Sequence, residues 1–414
     1  MKTSRNALKT VKGSVNSSKK VKILWIHPFS LDGELHKTDF LEILKALAKR
    51  KHEVSLIAIG SKRFQLNNHS KIKIFTIPLK IFPVISPLFF AISLCLLLPV
   101  YIIKCKPDFI VSRPDVSILS SIFSLLLCKL KKVRLVLDIR STPVETKGLR
   151  GFLQTMWFVP SVRIANSFFD GLTIVTPLMK EEIRERFKIN RYKIGVWMNG
   201  VDTAAFNPKN MINERVKLRK ELGLTRKFVI FYHGIMTATR GLSETIEAIE
   251  KLQDTKDEIV LFLLGTGPIV SNLEKLVSEK KLSNRVIIHD AVPHNQVPKY
   301  IAMCDVCIVP LPNHPFWNFQ CPLKLLEYLA MEKPIIATDI PAHRLIAGQK
   351  DLIYISSVTP DEIANAILIS YCNRTKFKKL GENGRDIIIK NFEWKDIAND
   401  LERYLFSLDR NNHS

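Results

Sequence analysis

The stretch CPLKLLEYLAMEKPIIATDI, residues 321–340, gathers residue types suited to a charged, hydroxyl-bearing ligand. Pro322 suits the first position of a helix, which leaves the amides of residues 323–325, Leu323 among them, free at the positive end of the helix dipole. Lys324 adds a full charge at that end, and a diphosphate is the kind of group it would accept. One turn further in, the two oxygens of Glu327 suffice for two hydrogen bonds from a ribose diol. Lys324 and Glu327 read equally well as solvated positions of an ordinary helix. Upstream, YHGIMTATRGL sets Gly234 where backbone can approach a ligand closely, and puts Arg240 and Gly241 at the start of the next helix. LLGTGP supplies a second glycine turn, Gly265 and Gly267, after an apolar run. By itself that turn lacks the full dinucleotide fingerprint and also reads as a tight connection.

These groups need a frame, and the chain supplies one by alternation. VKILWIHPF, a helical stretch and EVSLIAIG are followed by KIKIFTI, PDFIVS, SILSSIFSLLLCKLKK, VRLVLDIR and GLTIVT. The second half continues with KFVIFYHG, ETIEAIEKL, IVLFLLGTGP, RVIIHDAV and VCIVPL. Runs apolar on both faces are parallel strands covered by helices. The expected fold class is α/β, two doubly wound Rossmann-like domains facing a central cleft. Ligands of such sheets bind beyond the carboxyl ends of the strands, where the candidate residues fall.

The chain has 414 residues, more than the roughly 250–300 one core sustains, and 46% are hydrophobic, enough for two cores. We expect a disordered basic arm at 1–20, an N-terminal membrane-docking domain at 21–198 and a hinge at 199–208. A ligand-binding domain at 209–395 and a C-terminal helix at 396–414, packing back toward the first domain, complete the chain. Residues 1–200 hold 34 lysines and arginines against 13 acids, a net of +21 of the total +23. Neither a basic recognition helix nor interleaved stacking aromatics accompany this excess, which argues against nucleic acid and for an anionic membrane surface. Ile81–Ile103 has no charge over 23 residues, the length of a membrane span. Pro83, Pro87 and Pro99 divide it so that Leu88–Leu98 is the clean helix, and Lys80, Lys104 and Lys106 flank it. Docking on an interface is the favoured reading, against a buried helix or a true span. Seven cysteines without a framework read as reduced thiols, hence a cytosolic compartment, and Cys304 and Cys307 as buried hydrophobes in preference to a zinc pair.

The second half resembles the retaining glycosyltransferases of the GT-B fold, family four. NGVDTAAFNP is similar to that family's interdomain segment, HGIMTATRGLSETIEAI to its phosphate loop and LLGTGP to its GxGP turn. CPLKLLEYLAMEKPIIATDIPAH resembles the donor-binding helix of the branch written PLK..EYmA. In the first half DIRSTPVE resembles a shorter segment of some members. The resemblance implies that Arg240 and Lys324 hold a diphosphate, Glu327 the ribose hydroxyls, and Gly265 and Gly267 the nucleotide. It also implies that Asp138 and Arg140 face the acceptor, Asp138 with a catalytic part. His27 then reads as a cleft-lining group or as a loop histidine satisfied by backbone, and His36 as an acceptor contact or a helix-surface residue. Gly33 stands where the family's first loop is glycine-rich. Phe319 and Ile235 depart from the pattern, replacing a glutamate and an arginine. Lys324 is expected to compensate for Ile235.

The implied activity is transfer of a sugar from a nucleotide-diphosphate donor, UDP- or GDP-linked, to a lipid-linked glycan or glycolipid. Retention of configuration is expected, at the cytoplasmic face of a membrane, by an enzyme peripheral to it. No Asp-x-Asp cluster follows a strand, so neither a metal nor any further cofactor is expected. Two alternatives stay open: a sugar-nucleotide epimerase on the same fold, and a catalytically silent membrane partner of another transferase.

Overall fold

The computed structural model describes residues 19–30, 38–60, 72–79, 85–143, 148–253, 258–348 and 352–410. The chain divides into two compact units. One holds the described residues through Met198 together with the last helix, and the other is Asn199–Glu393. The second crossing falls at Glu393/Trp394, two residues before the expected start of the final helix, because Trp394 already packs as its first turn. Gly33, His36, Lys80, Pro83 and nearly all of the 1–20 arm lie outside the described residues.

The first unit is built on seven strands. They are β1 (Lys22–Ser30), β2 (Glu53–Ile59), β3 (Ile72–Ile77), β4 (Phe109–Ser112), β5 (Arg134–Ile139), β6 (Gly171–Ile174) and β7 (Ile194–Val196). They lie in the order β3-β2-β1-β4-β5-β6-β7, every pairing parallel. Among the described residues six helices connect them. These are α1 (Thr38–Lys49), α2 (Ile85–Cys105), α3 (Ile118–Phe123), α4 (Leu125–Leu130), α5 (Gly148–Phe168) and α6 (Pro177–Phe187).

One expectation fails here. α2 runs through Pro99 to Cys105 and does not stop at Leu98. Leu98 and Ile102, on either side of the proline, are fully buried. At about 1.5–3 kcal/mol each they outweigh the roughly 3 kcal/mol that an interior proline costs. The stretch 118–130 forms two helices, because Ser124 leaves helical geometry at φ −90°, ψ 2°.

The second unit carries β8 (Phe228–His233), β9 (Ile259–Leu264), β10 (Val286–His289), β11 (Val306–Val309), β12 (Ile335–Thr338) and β13 (Ile353–Ile355). Their order is β10-β9-β8-β11-β12-β13, again all parallel. Its helices are α7 (Ile212–Glu221), α8 (Leu242–Lys251), α9 (Val270–Glu279), α10 (Val297–Met303), α11 (Pro315–Asn318), α12 (Leu323–Ala330), α13 (Pro341–Ala347), α14 (Pro360–Cys372) and α15 (Arg374–Asn391). Ile230, Tyr232, Leu261, Leu263 and Ile308 form the centre of its core with Ile246 and Ile249 of α8. Chain order reverses between β8 and β11, which makes the loops after those two strands the switch point where such sheets bind ligands.

The last helix, α16 (Trp394–Arg410), returns to the first unit. Glu402 accepts from Arg50 Nε at 2.6 Å and lies 3.2 Å from His52 Nε2, and Tyr404 donates to the Lys193 carbonyl. Gly171 and Gly195 leave the room that the Tyr404 side chain fills. The segment beginning at Asn199 is bound into the second unit. Val201 N–H donates to the Phe392 carbonyl, and the Arg385 guanidinium donates to the carbonyls of Thr203, Phe206 and Ala330.

Candidate nucleotide site

The loop after β8 and the helix after β11 meet at the switch point. Lys324 and Glu327 are 7% and 3% exposed, which removes the reading of α12 as a solvated helix. Pro322 lies one residue outside the helix, as its cap (φ −66°, ψ 116°), where the sequence placed it inside. Leu325 N–H donates to the Pro322 carbonyl at 3.1 Å, so of the three amides expected to be free, those of Leu323 and Lys324 are left. The approach to this end is fixed by Asn199, whose Nδ2 donates to the Cys321 carbonyl at 2.6 Å.

The Lys324 ammonium lies 3.6 Å from the centre of the Tyr232 ring. It is buried with no hydrogen-bond partner among the described residues. A side chain on Gly234 would meet it at 3.2 Å, which locates Nζ directly under the loop after β8. Arg240 closes a short 3-10 turn, Ala238–Arg240, and its guanidinium lies 4.9 Å from the centre of the Trp317 ring. Trp317, on α11, donates from Nε1 to the Thr239 carbonyl at 3.0 Å and so bolts that turn in place. The Arg240 Nε is also buried and unpartnered among the described residues. Burial and the neighbouring Arg240 together hold the Lys324 ammonium well below the usual lysine range, while Glu327 pulls the other way. The desolvated Lys324 ammonium and the neighbouring, partly exposed Arg240 guanidinium form a site with a deficit of negative charge.

Glu327 does not wait with open oxygens. Its Oε2 is 2.8 Å from His233 Nε2 and its Oε1 is 2.7 Å from His294 Nε2. The Tyr328 hydroxyl lies 3.0 Å from His233 Nδ1. With Tyr328 donating to Nδ1, the proton of a neutral His233 sits on Nε2 and points at Glu327. Burial opposes the charge on Glu327, but the two imidazoles outweigh it and hold the carboxyl below the usual range. Burial pushes His233 down as well. The expected pair of ribose hydrogen bonds must therefore use the remaining lone pairs or replace His294, which is 42% exposed and lies 5.4 Å from the Phe206 ring.

His233, His294, Tyr328 and Trp317 escaped the sequence reading. His233 ends a parallel strand and His294 follows β10 by a short loop, positions that the carboxyl-edge rule marks for inspection.

The glycines act mainly on one another's loops. Gly265 has φ +150°, and a side chain there would fall on the Gly234 carbonyl oxygen. Gly267 likewise abuts Met236 backbone, and Gly241 turns the chain into α8 against the Pro310 carbonyl. Gly265→Ala is expected to destabilise the second unit by about 3 kcal/mol, the upper end for point changes, read as a lower urea midpoint.

The residues expected on the acceptor side are closed in. Asp138 is 2% exposed and accepts from Thr173 Oγ1 at 2.8 Å and Trp197 Nε1 at 3.1 Å. Burial pushes its carboxyl up, against the pull of Arg140. Arg140 lies 3.5 Å over the Trp197 ring and donates to the Trp197 carbonyl. His27 is buried and stacked 3.8 Å from Phe40. Asp138, Arg140 and His27 thus sit in the packed interior of the first unit. Buried polar groups of this kind hold strand ends together.

A family model described as Glycosyl transferases group 1 matches residues 227–373, and one described as Glycosyltransferase Family 4 matches residues 38–205. Alpha-D-kanosaminyltransferase of Streptomyces kanamyceticus is 26% identical over 37% of this chain and 39% of its own length. The chain spans about half the length of the curated relatives it matches. A glycosyltransferase structure from Rickettsia africae superposes with a TM-score of 0.76 over 95% of this chain and all of that one, at 19% identity. Anabaena Alr3699/HepE, solved in complex with UDP-glucose, gives 0.74 over 94% of this chain and all of that one, at 15% identity.

Proposed function

The chain belongs to the family-four glycosyltransferases of the GT-B fold, and from that premise we propose that it moves a sugar from a nucleoside-diphosphate donor to an acceptor hydroxyl with retention of configuration. The observation that carries this reading is the buried, unpartnered Lys324 ammonium beside Gly234, with Arg240 at hand. The diphosphate of a sugar nucleotide fits that deficit, and the α12 amides of Leu323 and Lys324 add to it.

In such a transfer the barrier is departure of the diphosphate as the anomeric carbon becomes cationic. Lys324 and Arg240 act on the charge that grows on the leaving oxygens. As the anomeric carbon–phosphate oxygen bond breaks, the acceptor oxygen bonds to that carbon on the face the diphosphate leaves and its proton passes to the departing phosphate oxygen; same-face attack gives retention. Glu327, held by two histidines, receives the ribose. A UDP or GDP donor is the assignment, without a metal or any further cofactor. For the acceptor we assign a lipid-linked glycan or glycolipid at the cytoplasmic face of a membrane. The basic excess and the exposed apolar α2 of the first unit support that assignment.

Phe319 and Ile235, which depart from the family pattern, favour one competing reading, a silent partner subunit. A thermal-shift series with UDP, GDP, ADP and CMP tests the donor site. A nucleoside diphosphate at 100 times its Kd is expected to add about 2.7 kcal/mol. No shift with any of the four overturns the reading. A shift without sugar transfer to membrane lipid extract favours the silent partner.

A further inference from the structure

The first unit displays apolar side chains in two stripes, and the second of them was not visible as a surface in the sequence. On α2, Phe89, Ile92, Leu96, Val100 and Ile103 recur every three or four residues and are all more than half exposed, Leu96 to 70%. The opposite face of the same helix, Phe90, Leu94, Leu98 and Ile102, is fully buried along its whole length. Leu119, Phe123, Leu126 and Leu130 make the same spacing across α3 and α4, with Leu126 and Leu130 above 70% exposed. α2 packs against α3. The β3-to-β4 and β4-to-β5 crossovers step in the same direction along the sheet, so right-handed connection puts both on one face.

Charge completes the pattern. Both helical layers end where a strand begins, and there stand the exposed Lys104 and Lys106 before β4 and Lys129, Lys131 and Lys132 before β5. Between residues 85 and 132 the acids are Asp108 and Asp115. Asp108 accepts from the Lys22 amide and Asp115 from the Ser117 amide. The surface thus offers apolar stripes with a lysine margin, and segment 85–132 itself carries no other carboxylate.

We propose that α2, α3 and α4 together form a docking surface for an anionic lipid bilayer, with both stripes lying in the plane of the interface. Apolar side chains enter the acyl boundary while the lysine margin meets the phosphate headgroups. α2 is long and apolar enough to cross a membrane, with 28% of that window buried. Its buried face, however, is committed to the domain from Phe90 to Ile102, which a helix crossing alone would have to abandon. The proposal does not rest on sugar transfer, since binding to lipid is read without turnover.

The test is flotation of the full chain with phosphatidylcholine vesicles, with and without about one third phosphatidylglycerol. Wild type is expected to float with the anionic vesicles, to be released by alkaline carbonate and to lose partition as salt rises. Leu96→Glu and Leu126→Glu are each expected to lower partition at least about tenfold. Both sites are exposed, so the melting temperature and the UDP-induced shift serve as folding controls and stay unchanged. Absence of wild-type flotation overturns the proposal. So does retention after carbonate, which marks a span. Full partition of Leu126→Glu confines docking to α2 and overturns the two-stripe surface. A wild-type dimer made monomeric by the double variant, without vesicle binding in either, assigns the surface to a second copy of the chain.

Discussion

Replacing Lys324 by methionine is expected to lower kcat by about 10²–10³-fold, the loss typical of one charge-stabilising donor at a reacting centre. The same change is expected to stabilise the unliganded protein by on the order of 1 kcal/mol, because methionine keeps the stem and removes a buried, unpaired cation. Opposite signs for stability and turnover separate a functional lysine from a structural one. The sign of the pH effect follows from the same environment. Burial and Arg240 depress the ammonium of the empty site, and a bound diphosphate stabilises it. Binding of UDP therefore takes up protons and weakens as pH rises. Calorimetry of the same titration in buffers of different ionisation enthalpy reads the uptake directly, and in Lys324→Met it should vanish. Unchanged turnover with intact donor binding would remove Lys324 from the chemistry and with it the compensation for Ile235.

What the sequence made legible is what short-range pattern controls. Apolar runs on both faces gave two parallel-sheet domains, and Pro322, Lys324 and Glu327 marked α12 because their spacing is fixed by one helix. The partners of Glu327 were not legible, since His233 and His294 are 94 and 33 residues away and reach it through the sheet and not through any local motif. Trp317 under Arg240 was hidden for the same reason, its hydrogen bond to Thr239 spanning 78 residues. The partners of Asp138 and Arg140 were hidden in the same way. Their motif sits at the end of β5, but Trp197 and Thr173, on later segments, close over them. Pro99 misled because its local cost is visible in sequence while the burial that offsets it is tertiary. The lysine margin was visible as composition. Its position along one edge of the sheet follows from strand order, which periodicity does not encode.

Removing Glu327 tests the cluster that the sequence missed. In Glu327→Ala, His233 Nε2 and His294 Nε2 both lose their acceptor, and His233 is too buried to replace it freely with water. One buried donor left unpaired costs about 1–3 kcal/mol. Adding the packing lost with the side chain, the second unit is expected to lose about 3 kcal/mol, seen as a lower urea midpoint. Nucleotide affinity is expected to fall about 10–100-fold, as for loss of a charged hydrogen-bonding partner worth about 1.5–3 kcal/mol. Glu327→Gln keeps the shape and one acceptor oxygen, so most of the stability should return while one histidine stays unsatisfied. The acid side gives an independent check. Glu327 and His233 are both depressed in the folded chain, so the unfolded chain binds more protons once pH falls below their ordinary values. Wild-type stability should therefore decline as pH drops below about 6.5, through His233, and more steeply below about 4.3, through Glu327. In Glu327→Ala the second, steeper decline loses that carboxylate's share. An acid profile identical to wild type would mean that the two imidazoles do not hold Glu327 in solution, and the ribose would then meet an open carboxylate after all.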